Sequence, residues 1–585
     1  MIDNRNMILA VVLSIAILLA FDFFGPKSKP VTPQGGPKQA EQTKTAPSPG
    51  AQPKPGDGRP AVPSAPSAGV PNPADLGKAR TAVLKTGPRI KIAAPRLHGS
   101  IALTGARFDD LTLPDYREGL SPKSPEIVLL VPKGADDAYF AEFGWVAGEG
   151  QPVPDGNTAW TADKGTLGPK SPVTLTWDNG QGLKFIRTYA IDDNYMITVA
   201  QKVENTGTKP ATLYPYGLIS RHGTPKVTGF YILHEGPYGV AGGKLTEISY
   251  EDIRDKKQIT NTGTGGWIGI TDKYWLAALV PDQAAEVNTR YVHRKDDKTD
   301  IYQVDYLGRA VAVAPGASTQ VQNRLYTGAK EVKLMDHYEA SLKIDRFDLA
   351  IDFGWFYFLT KPIFYALLYI NEHVKNFGVA ILLLTVAIKL AFFPLANKSY
   401  EAMSKMKKLQ PEIAKLRERY PNDKVKMNEE MMALYKREKA NPASGCLPIL
   451  VQIPVFFALY KVLFVNIEMR HAPFYGWIHD LSAADPTSLF NLFGLIPWTP
   501  PEFLLVGVWP LIMGVTMFLQ QKLNPQPTDP MQAKIFLFLP IMFTFLLAQF
   551  PAGLVIYWTW NNILSMLQQW VIMRRMGIKP REALK

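Results

Sequence analysis

One cysteine, Cys446, stands in 585 residues. No disulfide can form within the chain, so any exported part must hold together by core burial alone, which roughly 200 residues can manage. A glycine-rich loop ending in Lys-Ser/Thr is also missing, and with it the common nucleotide-phosphate site. Histidines are few, 8 in all; His222, His234 and Glu235 show neither metal-ligand nor triad spacing and are assigned to surface or hydrogen-bonding roles. No cofactor, metal or catalytic residue is expected. Internal repeats are not visible, which argues against a small-solute transporter, where an intramembrane lysine among Thr, Asn and Gln would be a substrate site. An anchored sugar-binding or sugar-converting enzyme would leave five apolar segments unexplained.

What is present is unevenly placed. Apolar residues crowd the first 24 positions and the region beyond residue 350. Residues 7–24 are an apolar run near the minimum for a bilayer crossing. Phe21, Phe23 and Phe24 fill the place where the small-x-small site of a cleaved signal would lie, so residues 1–24 read as a retained transmembrane anchor. Residues 25–80, rich in Pro, Gly, Ala, Ser and Lys, cannot build a core and read as a disordered tether. From 81 to 340, short alternating runs are divided by Gly, Pro, Asn and Asp. Val173, Leu175 and Trp177 lead through Asp178-Asn179-Gly180 to Leu183 and Phe185, a β-hairpin pattern. Residues 196–199 repeat the strand-turn-strand form through Glu204-Asn205-Thr206-Gly207 into residues 211–214. Many strands with almost no helical periodicity predict a large antiparallel β-sandwich.

Residues 341–375, aromatic and interrupted by Lys361 and Pro362, predict an amphipathic helix at a membrane surface rather than a span. Stronger apolar segments follow at 377–394, 446–465, 503–519 and 535–573, the last split by Phe550-Pro551-Ala552-Gly553. With the anchor these make a polytopic α-helical membrane protein of six transmembrane helices, five of them in a core over 376–573. Lys and Arg are dense over 398–439 and in the tail 574–585, so both are expected in the cytoplasm. An even number of spans puts the N-terminus there too, and the β-domain outside. Basic residues beside apolar runs account for much of the net charge of +12, and no direct nucleic acid binding is expected.

Residues 395–442 read as a cytoplasmic helical hairpin, with helices at 398–420 and 424–440. Met406, Leu409, Ile413, Leu416 and Tyr420 recur at spacings of three and four, answered by Met427, Met431 and Leu434. Met403, Met406, Met427, Met431 and Met432 give a polarizable surface suited to docking greasy partners; filling of the seam is the plainer alternative. Inside the core, polar residues gather toward one end. Lys389 lies about five residues from the cytoplasmic end of its helix, with Thr385 one turn earlier on the same face. Gln452 reaches similar depth, Thr516 and Gln520 approach that side, and Thr559, Asn562, Ser565 and Gln569 share a face by spacing. Polar groups in lipid are unfavourable unless paired or wet. Their convergence predicts a hydrated substrate groove open to the cytoplasm and closed toward the outside.

Asn441-Pro442-Ala443-Ser444-Gly445-Cys446-Leu447-Pro448 leads into Gln452-Ile453-Pro454-Val455-Phe456. With Gly514-Val515-Thr516-Met517-Phe518, Asp529-Pro530-Met531-Gln532 and Phe550-Pro551-Ala552-Gly553-Leu554, this resembles the YidC/Oxa/Alb insertase family in its Gram-negative form. The resemblance covers tether, β-domain, interfacial helix and core. It implies a five-helix core, a periplasmic β-supersandwich similar to sugar-mutarotase folds, a bacterial inner-membrane location, and a positively charged groove that receives nascent membrane proteins. Components of the Sec translocon, the ribosome, signal recognition components and membrane lipids are the further partners it implies. The groove charge, commonly arginine in the family, falls on Lys389, which keeps the charge and loses the bidentate fork. Trp558 falls where a tyrosine is common, keeping stacking and losing a hydroxyl. The implied mechanism is passive insertion: a short hydrophilic substrate segment enters the groove, drawn by Lys389, while its apolar helix slides out along the lipid-facing side.

Overall fold

The alternation read in residues 173–185 becomes a hairpin. Strand Val173–Asp178 pairs antiparallel with Leu183–Ile191, Val173 opposite Tyr189 and Asp178 opposite Lys184. Gly180 and Gly182 close it at φ 67° and 92°, where a side chain would be strained. Every second residue of Leu183–Ile191 is buried, the period of a strand with one face on a core. The computed structural model describes residues 80–577 except 149–150, 228–232, 297–298, 422, 439–446, 499, 502–503 and 525–529. The expected anchor at 1–24, nearly all of the tether, residues 441–446 of the family motif and tail residues 578–585 lie outside the described residues.

Strands of this kind build an 11-stranded and a 9-stranded sheet, whose inner faces share one apolar core with Phe108, Tyr189, Trp267 and Tyr326 fully buried. Among the described strands, pairing is antiparallel apart from a short parallel contact of Arg89–Ala93 with Thr166–Leu167. One expected hairpin needs correcting. Strand Met196–Asn205 does not pair with Ala211–His222: its two edges are taken by Leu183–Ile191 and Ser318–Ala329 in the smaller sheet, while Ala211–His222 lies in the larger one between Tyr139–Ala147 and Thr299–Leu307. Asn205 makes the crossing, its Nδ2 donating to the carbonyls of Lys209 (2.8 Å) and Val313 (2.9 Å).

Beyond the sheets the chain is helical. Helix α1 (Val332–Leu342) is followed by α2 (Tyr357–Val374), α3 (Phe377–Ala391), α4 (Phe393–Arg419), α5 (Lys424–Arg437), α6 (Leu447–Val465), α7 (Val508–Leu523), α8 (Pro530–Leu547) and α9 (Ala552–Arg575). At Phe392, α3 turns by 71° straight into α4. Pro394 causes the break: it has no N–H for the carbonyl of Leu390 and its ring would strike that carbonyl, yet it is well placed in the first turn of a new helix. The first helix of the hairpin therefore begins five residues before the expected 398. Leu409, Ile413 and Leu434 are buried between α4 and α5, flanked by Met406, Leu416, Met431 and Tyr435. Helix α7 starts later than the expected 503, because its first amides are met by side chains about 20 residues upstream: Val508 N–H donates to Thr487 Oγ1 (3.0 Å) and Trp509 N–H to Asp485 Oδ2 (2.9 Å).

Among the described residues no single helix is long and apolar enough to cross a membrane, while the bent pair α3 and α4 together passes that test. Outward faces are nevertheless apolar: Phe538 is 61% exposed and Val515 58%, and an apolar exterior of this extent suits lipid or a partner better than water. Helices α7 and α8 pack tightly at Gly514, where a Cβ would lie 2.0 Å from Thr544 Oγ1.

The β-domain is fastened to the helices by buried polar contacts. Lys461 of α6 donates to Asp352 Oδ2 (2.6 Å), which also accepts the His234 N–H (3.1 Å). Arg470 donates to the Arg117 carbonyl (2.6 Å), and Lys273 Nζ stands 4.0 Å from the centre of the Phe464 ring. Asp336, Glu339 and Asp348 come close enough to hold a cation; the Lys361 ammonium of α2 already lies there, 2.9 Å from both Asp336 Oδ1 and Asp348 Oδ2.

Candidate functional site

The bend at Phe392 opens a cleft of about 50 Å³ at the end of α3, lined by Thr385, Lys389, Phe392, Tyr400, Gln452, Tyr557 and Asn561, with Ile388, Leu395, Ala396 and Val455 as its apolar wall. A volume of this size admits a few water molecules. Lys389, half-buried, is the one charged side chain among the lining residues. Its Nζ donates to Ser565 Oγ at 2.7 Å, and that hydroxyl donates to the Asn561 carbonyl at 2.7 Å. Gln452 Nε2 donates to Asn561 Oδ1 at 3.1 Å, tying α6 to α9 across the cleft. Thr385, buried on the same face as Lys389, returns its hydroxyl to the Ile381 carbonyl at 2.6 Å. The ammonium is thus held by a hydroxyl, with no carboxylate in the lining to neutralise it.

The other expected groove residues lie elsewhere. At about 100° per residue α9 carries two polar stripes, not one. Tyr557, Asn561, Ser565 and Gln568 face α3, α4 and α6, and Gln568 Nε2 reaches Asn397 Oδ1 at 2.9 Å. Thr559, Asn562 and Gln569 are buried on a second stripe: Asn562 Nδ2 donates to Thr516 Oγ1 (3.3 Å), Gln569 Nε2 to the Leu523 carbonyl (3.1 Å), and the Thr559 hydroxyl to its own helix at Val555 (2.9 Å). Thr516, Thr559, Asn562 and Gln569 therefore join α9 to α7 or satisfy α9 itself and do not reach Lys389. Gln520 lines a separate cleft between α7 and α8, with Met517, Asn524, Phe536 and Phe543. Trp558 stacks on Phe456 at 5.5 Å and 18°, outside the lining, while Tyr557 supplies a hydroxyl-bearing ring to the cleft.

Sequence reasoning missed Tyr400, Tyr557 and Asn561. A second i, i+4 series through 557, 561 and 565 was present as a signal for two of them; Tyr400 depends on the bend. In the hairpin, Met406 and Met431 flank the seam and Met432 is exposed, 48%; Met403 and Met427 are half-buried. Lysines of α4 are partly engaged: Lys407 donates to the Lys522 carbonyl at the C-terminus of α7 (3.0 Å) and Lys408 to the Met576 carbonyl (2.6 Å), where a cation is favoured by the helix dipole. In the β-domain, His234 Nε2 bonds the Pro237 carbonyl (3.1 Å), Glu235 accepts the Lys273 N–H (3.1 Å) and His222 packs on Phe140. Burial pushes the His222 and His234 imidazoles down to about 4, so both are neutral near pH 7.

The chain matches two family models, the YidC periplasmic domain over residues 89–366 and the 60Kd inner membrane protein over residues 369–579. The membrane protein insertase YidC of Methylobacterium sp. (strain 4-46) is 51% identical to it over 99% of this chain and 96% of that protein. That of Methylorubrum extorquens (strain PA1) is 52% identical with the same coverage. A crystal structure of an active YidC insertase with its first transmembrane domain resolved is similar over 83% of this chain and 92% of that one, at 18% identity and a TM-score of 0.34.

Proposed function

The chain belongs to the YidC family of membrane protein insertases, and on that premise we propose that the cleft around Lys389 receives the hydrophilic exported segment of a substrate. The observation that carries this is a cation held by Ser565 in a cleft whose other polar groups are hydroxyls and amides and whose lining holds no carboxylate. A substrate carboxylate entering it finds a charge partner and ready hydrogen-bond donors, so its loss of water is partly offset. The substrate's apolar helix leaves along the lipid-facing side, driven by burial of apolar surface at about 25 cal/mol per Å² and by the membrane potential acting on its charges.

In this proposal the anchor, α3, α6, α7, α8 and α9 are six spans of the bacterial inner membrane, both termini and the hairpin are cytoplasmic, and the β-domain is periplasmic. Charge placement supports the orientation. With 15 and 16 residues, α3 and α7 measure about 22 and 24 Å. Both fall short of the ~30 Å hydrocarbon core, and short helices thin the bilayer around them. Nascent membrane proteins are the substrates; the ribosome, signal recognition components and the Sec translocon are the proposed partners.

Two neighbouring residues of α9 provide the test. A photo-crosslinker at Asn561, in the cleft, captures the exported segment of a translating substrate, whereas one at Asn562, buried against α7, does not. Equal capture from both positions would show that substrate does not discriminate between the two stripes. For the hairpin, a crosslinker at the exposed Met432 captures nascent chains earlier in translation than one at Asn561. Adducts confined to the chain's own α4 and α5 would leave the methionines as seam fillers.

A further inference from the structure

The loop between α6 and α7 is folded back on itself. Leu489 N–H donates to the Val506 carbonyl (2.9 Å), Ser488 Oγ to the Leu504 carbonyl (3.0 Å) and Trp477 Nε1 to Asp485 Oδ1 (3.1 Å). It lies on the β-domain side of the helices, since Arg470, where the loop begins, bonds the Arg117 carbonyl. Its tip is apolar and outward: Leu495 is 83% exposed, Leu492 50%, Phe493 49% and Trp498 48%. From Pro486 through Pro501 there is no Asp, Glu, Lys, Arg or His. A loop of this length meeting water would ordinarily carry polar and charged side chains, and an apolar surface this continuous marks an interaction site.

We propose that residues 489–498 are a shallow lipid-seated wedge, with Leu492, Phe493 and Leu495 among the upper acyl chains of the leaflet on the β-domain side. Three observations favour lipid over a protein partner. The absence of charge leaves nothing to set a protein partner's orientation. The loop runs directly into α7, whose outward residues Ile512 and Val515 are themselves exposed and apolar, so the wedge continues the apolar exterior of the helices. Trp477 and Trp498, both exposed, are the residue type that settles at headgroup depth. Depth is limited by the backbone, because irregular chain cannot face hydrocarbon. Here the tip meets part of its own demand, through Phe493 N–H to the Ser488 carbonyl (2.8 Å), Ile496 N–H to the Asn491 carbonyl (3.1 Å) and Gly494 N–H to Asn491 Oδ1 (3.1 Å). That suits a seat about 5–10 Å into the interface, as for surface-lying amphipathic segments.

The wedge rests on the reading of the helices as membrane-crossing, and the test separates the two. In the full chain with Cys446→Ser, Leu495→Cys carries an environment-sensitive fluorophore, with reference labels at Leu537→Cys on the outward face of α8 and Glu418→Cys on the exposed end of α4. The protein is reconstituted into phosphatidylcholine and phosphatidylglycerol vesicles and quenched by lipids brominated high on the acyl chain or by aqueous iodide. Brominated lipid is expected to quench the label at 495 at least about twofold more than that at 418, and iodide to quench it at least about twofold less. Iodide quenching at 495 equal to that at 418 would overturn the wedge. So would protection from both quenchers, which would mean that a second copy or the β-domain covers it. Failure of brominated lipid to quench the label at 537 would overturn the membrane-crossing reading and the wedge with it.

Discussion

Lys389→Glu is expected to slow insertion of substrates with acidic exported segments by at least about tenfold, while substrates with neutral segments are affected much less. The magnitude follows from charge reversal in a half-buried site. Two unit charges 4 Å apart interact by about 4 kcal/mol at an effective dielectric near 20, and only about 1.4 kcal/mol is needed for a tenfold change. Lys389→Arg keeps the charge and is expected to retain activity, with the second nitrogen of its fork facing Asn561 or Gln452. Lys389→Ala removes the attraction without adding repulsion and falls between. The hydrogen bond to Ser565 makes the side chain part of the fold, so protein amount and thermal midpoint are compared first. The deciding measurement is insertion across substrates graded by acidic charge: equal activity of Lys389→Glu across the set would reduce this lysine to an interfacial anchor.

Asp352→Ala is expected to loosen the attachment of the β-domain to the helices. Lys461 is only 5% exposed, and removing Asp352 takes from this buried cation the carboxylate that accepts its hydrogen bond. Breaking a buried pair from one side typically costs about 3–5 kcal/mol, whereas replacing both partners by apolar groups can be neutral. Asp352→Ala should therefore lower the thermal midpoint and expose the segment around residues 343–356 to trypsin. Asp352→Leu combined with Lys461→Met should recover most of the loss; if the double change is as unstable as the single one, the pair is not what joins the two parts. Acid gives an independent check. Burial pushes the Asp352 carboxyl up, but Lys461 and the His234 N–H together outweigh it and hold the carboxyl below its ordinary value. The stability it contributes is present above the unfolded value near 3.9 and is lost as pH falls through the folded value. Glu247 has the opposite sign: burial and the charge of Asp352 raise it to about 7, so its contribution is lost as pH rises from about 4.5 toward 7. His234, whose N–H donates to Asp352 and whose imidazole is held down to about 4, works the other way, its contribution being lost as pH falls from 6.5 toward 4. The two oppose each other over pH 4.5 to 6.5, and Glu247→Gln should leave stability rising with pH across that range.

Much of this architecture was legible because it is local. The alternation of 183–191 and the turn at Asn179-Gly180 carry their own partner, and the seam of Leu409, Ile413 and Leu434 follows from helical spacing. What was not legible depends on distant chain. Nothing in residues 204–214 says that both edges of Met196–Asn205 are already taken, one of them by Ser318–Ala329. The start of α7 is set by Asp485 and Thr487, which local hydrophobicity cannot register. At the cleft, Lys389, Thr385 and Gln452 were found because polar residues in apolar helices stand out. The error came from α9, where Asn561 and Asn562 are adjacent and point about 100° apart. Spacing alone merged a stripe that meets Lys389 with one that holds α7.

The bend between α3 and α4 also has a mechanical meaning. A single residue, Phe392, separates them, and Phe392 and Lys389 both line the cleft, so no slack intervenes between the cleft and the hairpin. With 27 residues α4 is an arm about 40 Å long, and a tilt of about 10° at the bend sweeps its far end through about 7 Å. Run in reverse, a partner pressing on that end works at a long mechanical advantage: a displacement of several ångströms at Arg419 becomes a fraction of an ångström beside Lys389, with the force multiplied in proportion. Contact at the tip can thus adjust the floor of the cleft in fine steps, geared down by the length of one helix.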